Sequence, residues 1–210
     1  MMKKTLCALA LIGAAASAHA DMVQNFDNVA ALAGQGWILR NSSTPVGPFG
    51  WFQGNELVFP AQAGSNANAY IASSYNATTQ GGMIDNWLIT PLFSTEKNSV
   101  ISFWARGADD AGYFDELSYG MSNGGSANID FSLVPTFTAP TNGWTEYRMM
   151  FSGTGASTTG RFAIRYTGSF DNANYVGVDS LAVRVPEPAT TLMLGLGLAG
   201  LMVARRRKQG

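Results

Sequence analysis

Val100-Ile101-Ser102-Phe103-Trp104-Ala105-Arg106 decides the fold class. In an extended chain Ile101, Phe103 and Ala105 fall on one side and Ser102, Trp104 and Arg106 on the other, because successive strand side chains point to opposite faces. The same period of two recurs at Leu117, Tyr119 and Met121, at Tyr147, Met149 and Phe151, and at Phe162, Ile164 and Tyr166. Turns rich in Gly, Asn and Pro separate the runs, among them Asn123-Gly124-Gly125 and Pro140-Thr141-Asn142-Gly143. No heptad and no long 3.6-residue period is present. About nine or ten strands in roughly 165 residues predict one all-β domain, an antiparallel two-sheet jelly-roll sandwich, with a barrel as the alternative.

The last run carries an irregularity. Val176 and Val178 alternate on one face, and Leu181, Val183 and Val185 continue with the parity shifted by one. A period of two changes parity only if one residue is left over, so a β-bulge is expected near Asp179-Ser180. A strand buried on both faces is the other reading.

Outward from these strands, both ends of the chain read as addresses. Lys3 and Lys4 precede an apolar stretch from Leu6 to Ala16, and Ala18-His19-Ala20 has the small-x-small form that signal peptidase cuts. Residues 1–20 are read as a secretory signal peptide removed before Asp21, with an uncleaved anchor helix as the alternative. At the other end Pro186-Glu187-Pro188 precedes sixteen uncharged residues, Ala189 to Ala204, and then Arg205-Arg206-Arg207-Lys208. A helix of that length spans about 24 Å, short of the ~30 Å hydrocarbon core, and the snorkelling stems of Arg and Lys make up the difference. The four cations hold the extreme C-terminus in the cytoplasm, so the preceding chain faces outward. A plain tail anchor would show the same hydropathy.

The order Pro-Glu-Pro, short helix, Arg cluster resembles the PEP-CTERM sorting signal of Gram-negative bacteria. That resemblance implies processing near the Pro-Glu-Pro motif by exosortase, a membrane-embedded cysteine protease. It also implies an association with exopolysaccharide and biofilm. Prolines on both sides of Glu187 keep the segment extended, as a protease requires. Residues 186–210 are therefore assigned to sorting, residues 21–185 to the domain. The expected location is a transient inner-membrane anchor with the domain in the periplasm, followed by the cell surface or extracellular matrix.

Removing both signals changes the chemistry on offer. The only Cys, Cys7, and the only His, His19, leave with the signal peptide. A chain of about 21–188 then has no Ser-His-Asp triad, cysteine nucleophile, histidine zinc site or disulfide. Seven basic residues against fourteen acidic ones give it a net charge of −7. Such an acidic surface speaks against a nucleic-acid partner.

Asn25-Phe26-Asp27 with Gly36-Trp37, Asp85-Asn86-Trp87-Leu88-Ile89-Thr90-Pro91, Ser102 to Arg106, Gly143-Trp144-Thr145, Gly160 to Tyr166 and Tyr175 to Leu181 resemble, in that order, the choice-of-anchor J domain. That family is similar to the cleaved-adhesin domains, which are jelly-roll sandwiches. The resemblance implies an exported module with interchangeable anchors and brings no catalytic residues.

Three local chemistries remain. Asp109-Asp110 and Asp115-Glu116 are the densest carboxylates, and a carboxylate pair can hydrolyse glycosides if one member is buried across a cleft from the other. Their Gly-flanked setting points to a solvated loop instead. Asp27 and Asp179 come from opposite ends of the chain, and pairing of the terminal strands would bring them together as ligands for structural Ca2+. Trp51 and Phe52 close the loop Pro45-Val46-Gly47-Pro48-Phe49-Gly50-Trp51-Phe52-Gln53, where aromatic faces can stack on sugar rings. The opposing possibility is that these tryptophans are core. The sequence thus favours a non-enzymatic adhesive or polysaccharide-associated surface module over a polysaccharide-processing enzyme.

Overall fold

The structure, a computed structural model, describes residues 22–184. The expected signal peptide, the motif Pro186, Glu187, Pro188 with Arg205, Arg206 and Arg207, and the expected membrane helix lie outside the described residues. Among the described residues no helix is long and apolar enough to cross a membrane.

Thirteen strands form in chain order: β1 (Met22–Gln24), β2 (Ile38–Asn41), β3 (Phe52–Gln53), β4 (Ile71–Ser74), β5 (Met83–Ile89), β6 (Phe93–Ser94), β7 (Ser99–Gly107), β8 (Glu116–Ser122), β9 (Ser132–Leu133), β10 (Phe137–Thr138), β11 (Thr145–Phe151), β12 (Thr159–Ser169) and β13 (Tyr175–Arg184). They make two antiparallel sheets. The first runs β11-β7-β13-β4-β3, with β1 on β13, and the second β10-β8-β12-β5-β2, with β6 on β12 and β9 on β8. Two sheets with free edges decide for the sandwich and against the barrel.

The periodicity that predicts the strands also predicts the core. Ile101, Phe103 and Ala105 of β7 face Phe162, Ile164 and Tyr166 of β12 in one buried cluster, which Leu117 joins from β8. The expected bulge is present. Asp179 lies opposite Trp104, but Ala182 lies opposite Ser102, so β13 takes three steps where β7 takes two. Ser180 absorbs the extra residue at φ 50°. The parity change keeps Val176, Val178, Leu181 and Val183 all in the core.

The outer faces are apolar too, and a loop covers each. Residues 54–69 lie over the first sheet, where Phe59, Tyr70, Ala72, Ala108 and Tyr175 form a second cluster with Trp144. Residues 123–136 lie over the second sheet, where Phe131 packs with Trp87, Ile89 and Ala163. The two straps leave the ends of the sandwich as the places where loops are free to present side chains.

Candidate functional site

At one end of the sandwich four loops are stitched together by backbone hydrogen bonds. Gly47 N–H donates to Ala77 O at 2.9 Å and Phe49 N–H to Asn76 O at 3.3 Å. Tyr75 N–H donates to Asn174 O at 3.0 Å, and Phe114 N–H to Asn172 O at 2.7 Å. Gly47 has to be glycine, because a Cβ there would lie 2.3 Å from Asn76 O. This docking lifts aromatic rings to the surface. Phe49 is 57% exposed and Phe114 60% exposed. Tyr75 meets Phe170 edge-on with centroids 5.1 Å apart. The end therefore carries several solvent-exposed rings, and exposed aromatic surface is what stacking on a sugar requires.

Trp51 is not among them. It is 7% exposed and belongs to the core cluster. The expectation of an exposed aromatic pair at Trp51 and Phe52 is corrected on this point. Gly50-Trp51-Phe52-Gln53 leads into the edge strand β3 rather than remaining a loop, so alternation turns Trp51 inward and Phe52 outward. Phe52 is half-buried, 5.9 Å from Tyr175 and 6.5 Å from the exposed Phe49. Trp51 and Phe52 also line a groove of about 460 Å³ with Val29, Ala30 and Leu39. Trp51 Nε1 is buried without a hydrogen-bond partner among the described residues.

Asp27 and Asp179 each hold the 62–65 loop, at different residues of it. Asp179 is fully buried at the bulge, and its Oδ2 accepts the backbone N–H groups of Gln62 at 2.9 Å and Ala63 at 3.0 Å. Its Oδ1 accepts Ser180 N–H at 2.6 Å. Burial outweighs these three donors and pushes the carboxyl up to about 6. Asp27 is exposed, and its Oδ1 accepts Ser65 N–H at 2.6 Å. Hydrogen bonds from Ser65 hold it below the usual carboxylate range. The two carboxylates grip the 62–65 segment from opposite ends of the chain. Among the described residues no three His, Cys, Asp or Glu side chains converge as a metal cluster.

The acidic stretch splits. Asp109 and Asp110 are exposed, and Asp110 Oδ2 accepts the Asn174 side-chain amide at 2.6 Å. Asp115 is buried, with its pKa raised by desolvation. Every Asp115 oxygen is occupied: Tyr166 Oη–H at 2.6 Å and Asn174 N–H at 3.0 Å on Oδ1, Tyr175 N–H at 3.2 Å on Oδ2. It ties the start of β8 to β12 and the start of β13, and it offers no proton to a cleft.

Sequence reasoning placed Phe49 in the candidate sugar-contact loop but singled out Trp51 and Phe52 instead, and it missed Tyr75, Phe114 and Phe170. The signal for Phe49 was available, because it sits between Pro48 and Gly50, where no strand can pull a ring inward. Nothing local marks the other three.

Residues 184–208 match the PEP-CTERM protein-sorting motif. In three dimensions the chain is similar to the K1 cleaved adhesin domain of Lys-gingipain from Porphyromonas gingivalis. The TM-score is 0.60 at 19% identity, over 80% of this chain and 99% of that one. The K2 domain gives a TM-score of 0.56 at 19% identity over 80% and 99%, and the K3 domain 0.55 at 17% over 78% and 97%. No curated protein matches the sequence. At these identities the likeness is one of fold. The chain thus joins a C-terminal match to the PEP-CTERM sorting motif to a sandwich that shares the fold of the cleaved adhesin domains.

Proposed function

We propose that this chain is an exported, exosortase-processed surface or matrix protein whose sandwich binds extracellular polysaccharide and turns nothing over. The observation that carries the proposal is the joining of a sorting motif at 184–208 to an adhesin-like sandwich. We assign sugar contact to the aromatic end, with Phe49, Tyr75 and Phe114 as stacking surfaces and Phe52 beside them. Asp115 argues for the binding reading over the enzymatic one. It is the buried carboxylate with a raised pKa in the acidic stretch, and both its oxygens are engaged in holding β8, β12 and β13 together.

The test uses protein recovered from the extracellular fraction, with intact mass to locate processing. A main species retaining Leu192 to Lys208 overturns sorting. Phe49→Ala is expected to weaken retention on the producing cell's polysaccharide while leaving the melting curve in place. Trp51→Ala is a core deletion expected to cost ~3–5 kcal/mol. Unchanged retention for Phe49→Ala, or release of reducing ends from the polysaccharide, overturns the assignment.

Calcium is proposed for the same loop that Asp27 and Asp179 share. Asp179 already accepts three N–H groups, so an ion must displace donors to enter. Melting in chelator and in millimolar calcium decides it: a ligand at 100 times its Kd adds about 2.7 kcal/mol, and coincident curves remove the proposal.

A further inference from the structure

β11 is the outer strand of the first sheet. Its seven residues pair with β7 on one side, and among the described residues no strand pairs on the other. An unpaired edge recruits other chains, so long edges are usually guarded by proline, lysine, bulges or brevity. β11 has no proline, lysine or bulge, and its charged guards are Glu146 and Arg148: it reads Thr-Glu-Tyr-Arg-Met-Met-Phe without a break in register. Its core-facing side is only half covered. Tyr147 and Met149 sit at the rim, and Tyr147 lies 4.4 Å from Phe137 by ring centroids. On the outer side Met150 is 80% exposed.

The segment Trp144-Thr145-Glu146-Tyr147-Arg148-Met149-Met150 is its own complement about Tyr147. Against an antiparallel second copy centred there, Glu146 faces the second copy's Arg148 and Arg148 its Glu146. On the same outer face Trp144 meets Met150, a favourable sulfur–aromatic contact. On the core side Tyr147 meets Tyr147, and Thr145 meets Met149. Centring on Arg148 sets arginine against arginine, and centring on Glu146 sets glutamate against glutamate. A shift of one residue turns core side chains against surface ones. Charge therefore excludes the registers centred on 146 and 148, and among the parity-preserving registers only the one centred on Tyr147 pairs Glu146 with Arg148, twice per interface. We propose that two copies of this chain pair antiparallel through β11 about a two-fold axis at Tyr147, joining their first sheets into one continuous sheet.

A blander role exists for the same charges. Within one chain Arg148 already meets Glu146 at 2.8 Å, so the pair could simply keep the edge polar. Charge reversal separates the two accounts.

The test uses the full chain, carrying Cys7→Ser, in a bacterium that exports it, read by non-reducing electrophoresis. Directly opposed strand residues have Cα atoms about 4.5–5.5 Å apart, within disulfide reach. Tyr147→Cys is therefore expected to give a disulfide-linked dimer. Met150→Cys, with roughly 20 Å between its two copies in this register, is expected to stay monomeric although far more exposed. Adding Glu146→Arg or Arg148→Glu singly to Tyr147→Cys should cut the dimer about tenfold, because two like-charged pairs replace two opposite ones. The two changes together should restore it. Should Tyr147→Cys not fold, Thr145→Cys and Met149→Cys chains bearing tags of different size are co-expressed. A mixed dimer with neither homodimer supports the register. Equal cross-linking at positions 147 and 150, no dimer from either design, or a double reversal that fails to restore the dimer overturns the proposal.

Discussion

Two loops cover the two outer faces of this sandwich, and they hold on by different means. The strap at 54–69 is anchored from below by rings and a buried carboxylate. Phe59 stacks on Tyr70 at 5.2 Å, meets Trp144 and Tyr175 edge-on, and carries the Arg106 guanidinium 4.6 Å above its face. Asp179 takes the N–H groups of Gln62 and Ala63, and Trp144 Nε1 donates to Pro60 O at 2.9 Å. The strap at 123–136 has one ring in the comparable place, Phe131 at 5.7 Å from Trp87. Polar groups do the rest. Arg40 donates to Ser126 O at 2.6 Å and to Asn128 Oδ1 at 2.8 Å, and Ser118 and Ser122 donate to Val134 O and Gly125 O at 2.6 Å each. The first strap thus depends on apolar burial and on two carboxylates, only Asp179 of them buried, the second on hydrogen bonds that water can partly replace.

The sharpest way to break this contrast is to delete the rings. Phe59→Ala is expected to cost about 4 kcal/mol, as for other buried aromatics, and Phe131→Ala roughly half of that because fewer rings surround it. Denaturant midpoints compare them, and equal losses would remove the distinction. Next in size are the polar anchors. Asp179→Ala leaves three N–H groups without their acceptor and is expected to cost about 3 kcal/mol, less than the three would sum to because a buried charge goes with it. Arg40→Ala should cost about 1.5 kcal/mol, and hydrogen exchange should rise at 126–131 but not at 62–65. Protection lost equally in both straps would mean that they are one cooperative unit.

The smallest effect sharpens the comparison through pH. Burial pushes the Asp179 carboxyl up to about 6 in the fold, above the usual carboxylate range. Raising a folded carboxyl pKa favours the protonated fold, so its contribution is full below the unfolded value and is lost as pH rises through about 6. With chelator present, acidification from pH 7 to 5 should therefore stabilise the domain by about 1 kcal/mol, as one group of this shift allows. Asp115, also raised by burial, acts in the same sense. Asp27, lowered, opposes it only at more acidic pH. Asp179→Asn should flatten the profile. A domain that loses stability over this range would show that the carboxylate is ionised without penalty beneath the strap.

Local pattern sufficed wherever a residue's neighbours in sequence fix its environment. The alternation of β7, β8, β11 and β12 named the core faces, and the parity shift across Asp179-Ser180 located the bulge, because the pleat makes facing a matter of counting. The two-sheet antiparallel class and the PEP-CTERM motif were legible on the same terms. Tertiary structure decided the rest. Trp51 read as a loop ring because Gly50 precedes it, and only pairing of Phe52 with Ala72 turns it into the core. The straps are invisible in sequence because their anchors are remote: Asp179 holds Gln62 across 117 residues, and Arg40 holds Ser126 across 86. Sequence fixes which side of its own strand a side chain occupies. Which loop lies over that side depends on closures whose entropy and geometry belong to the whole chain.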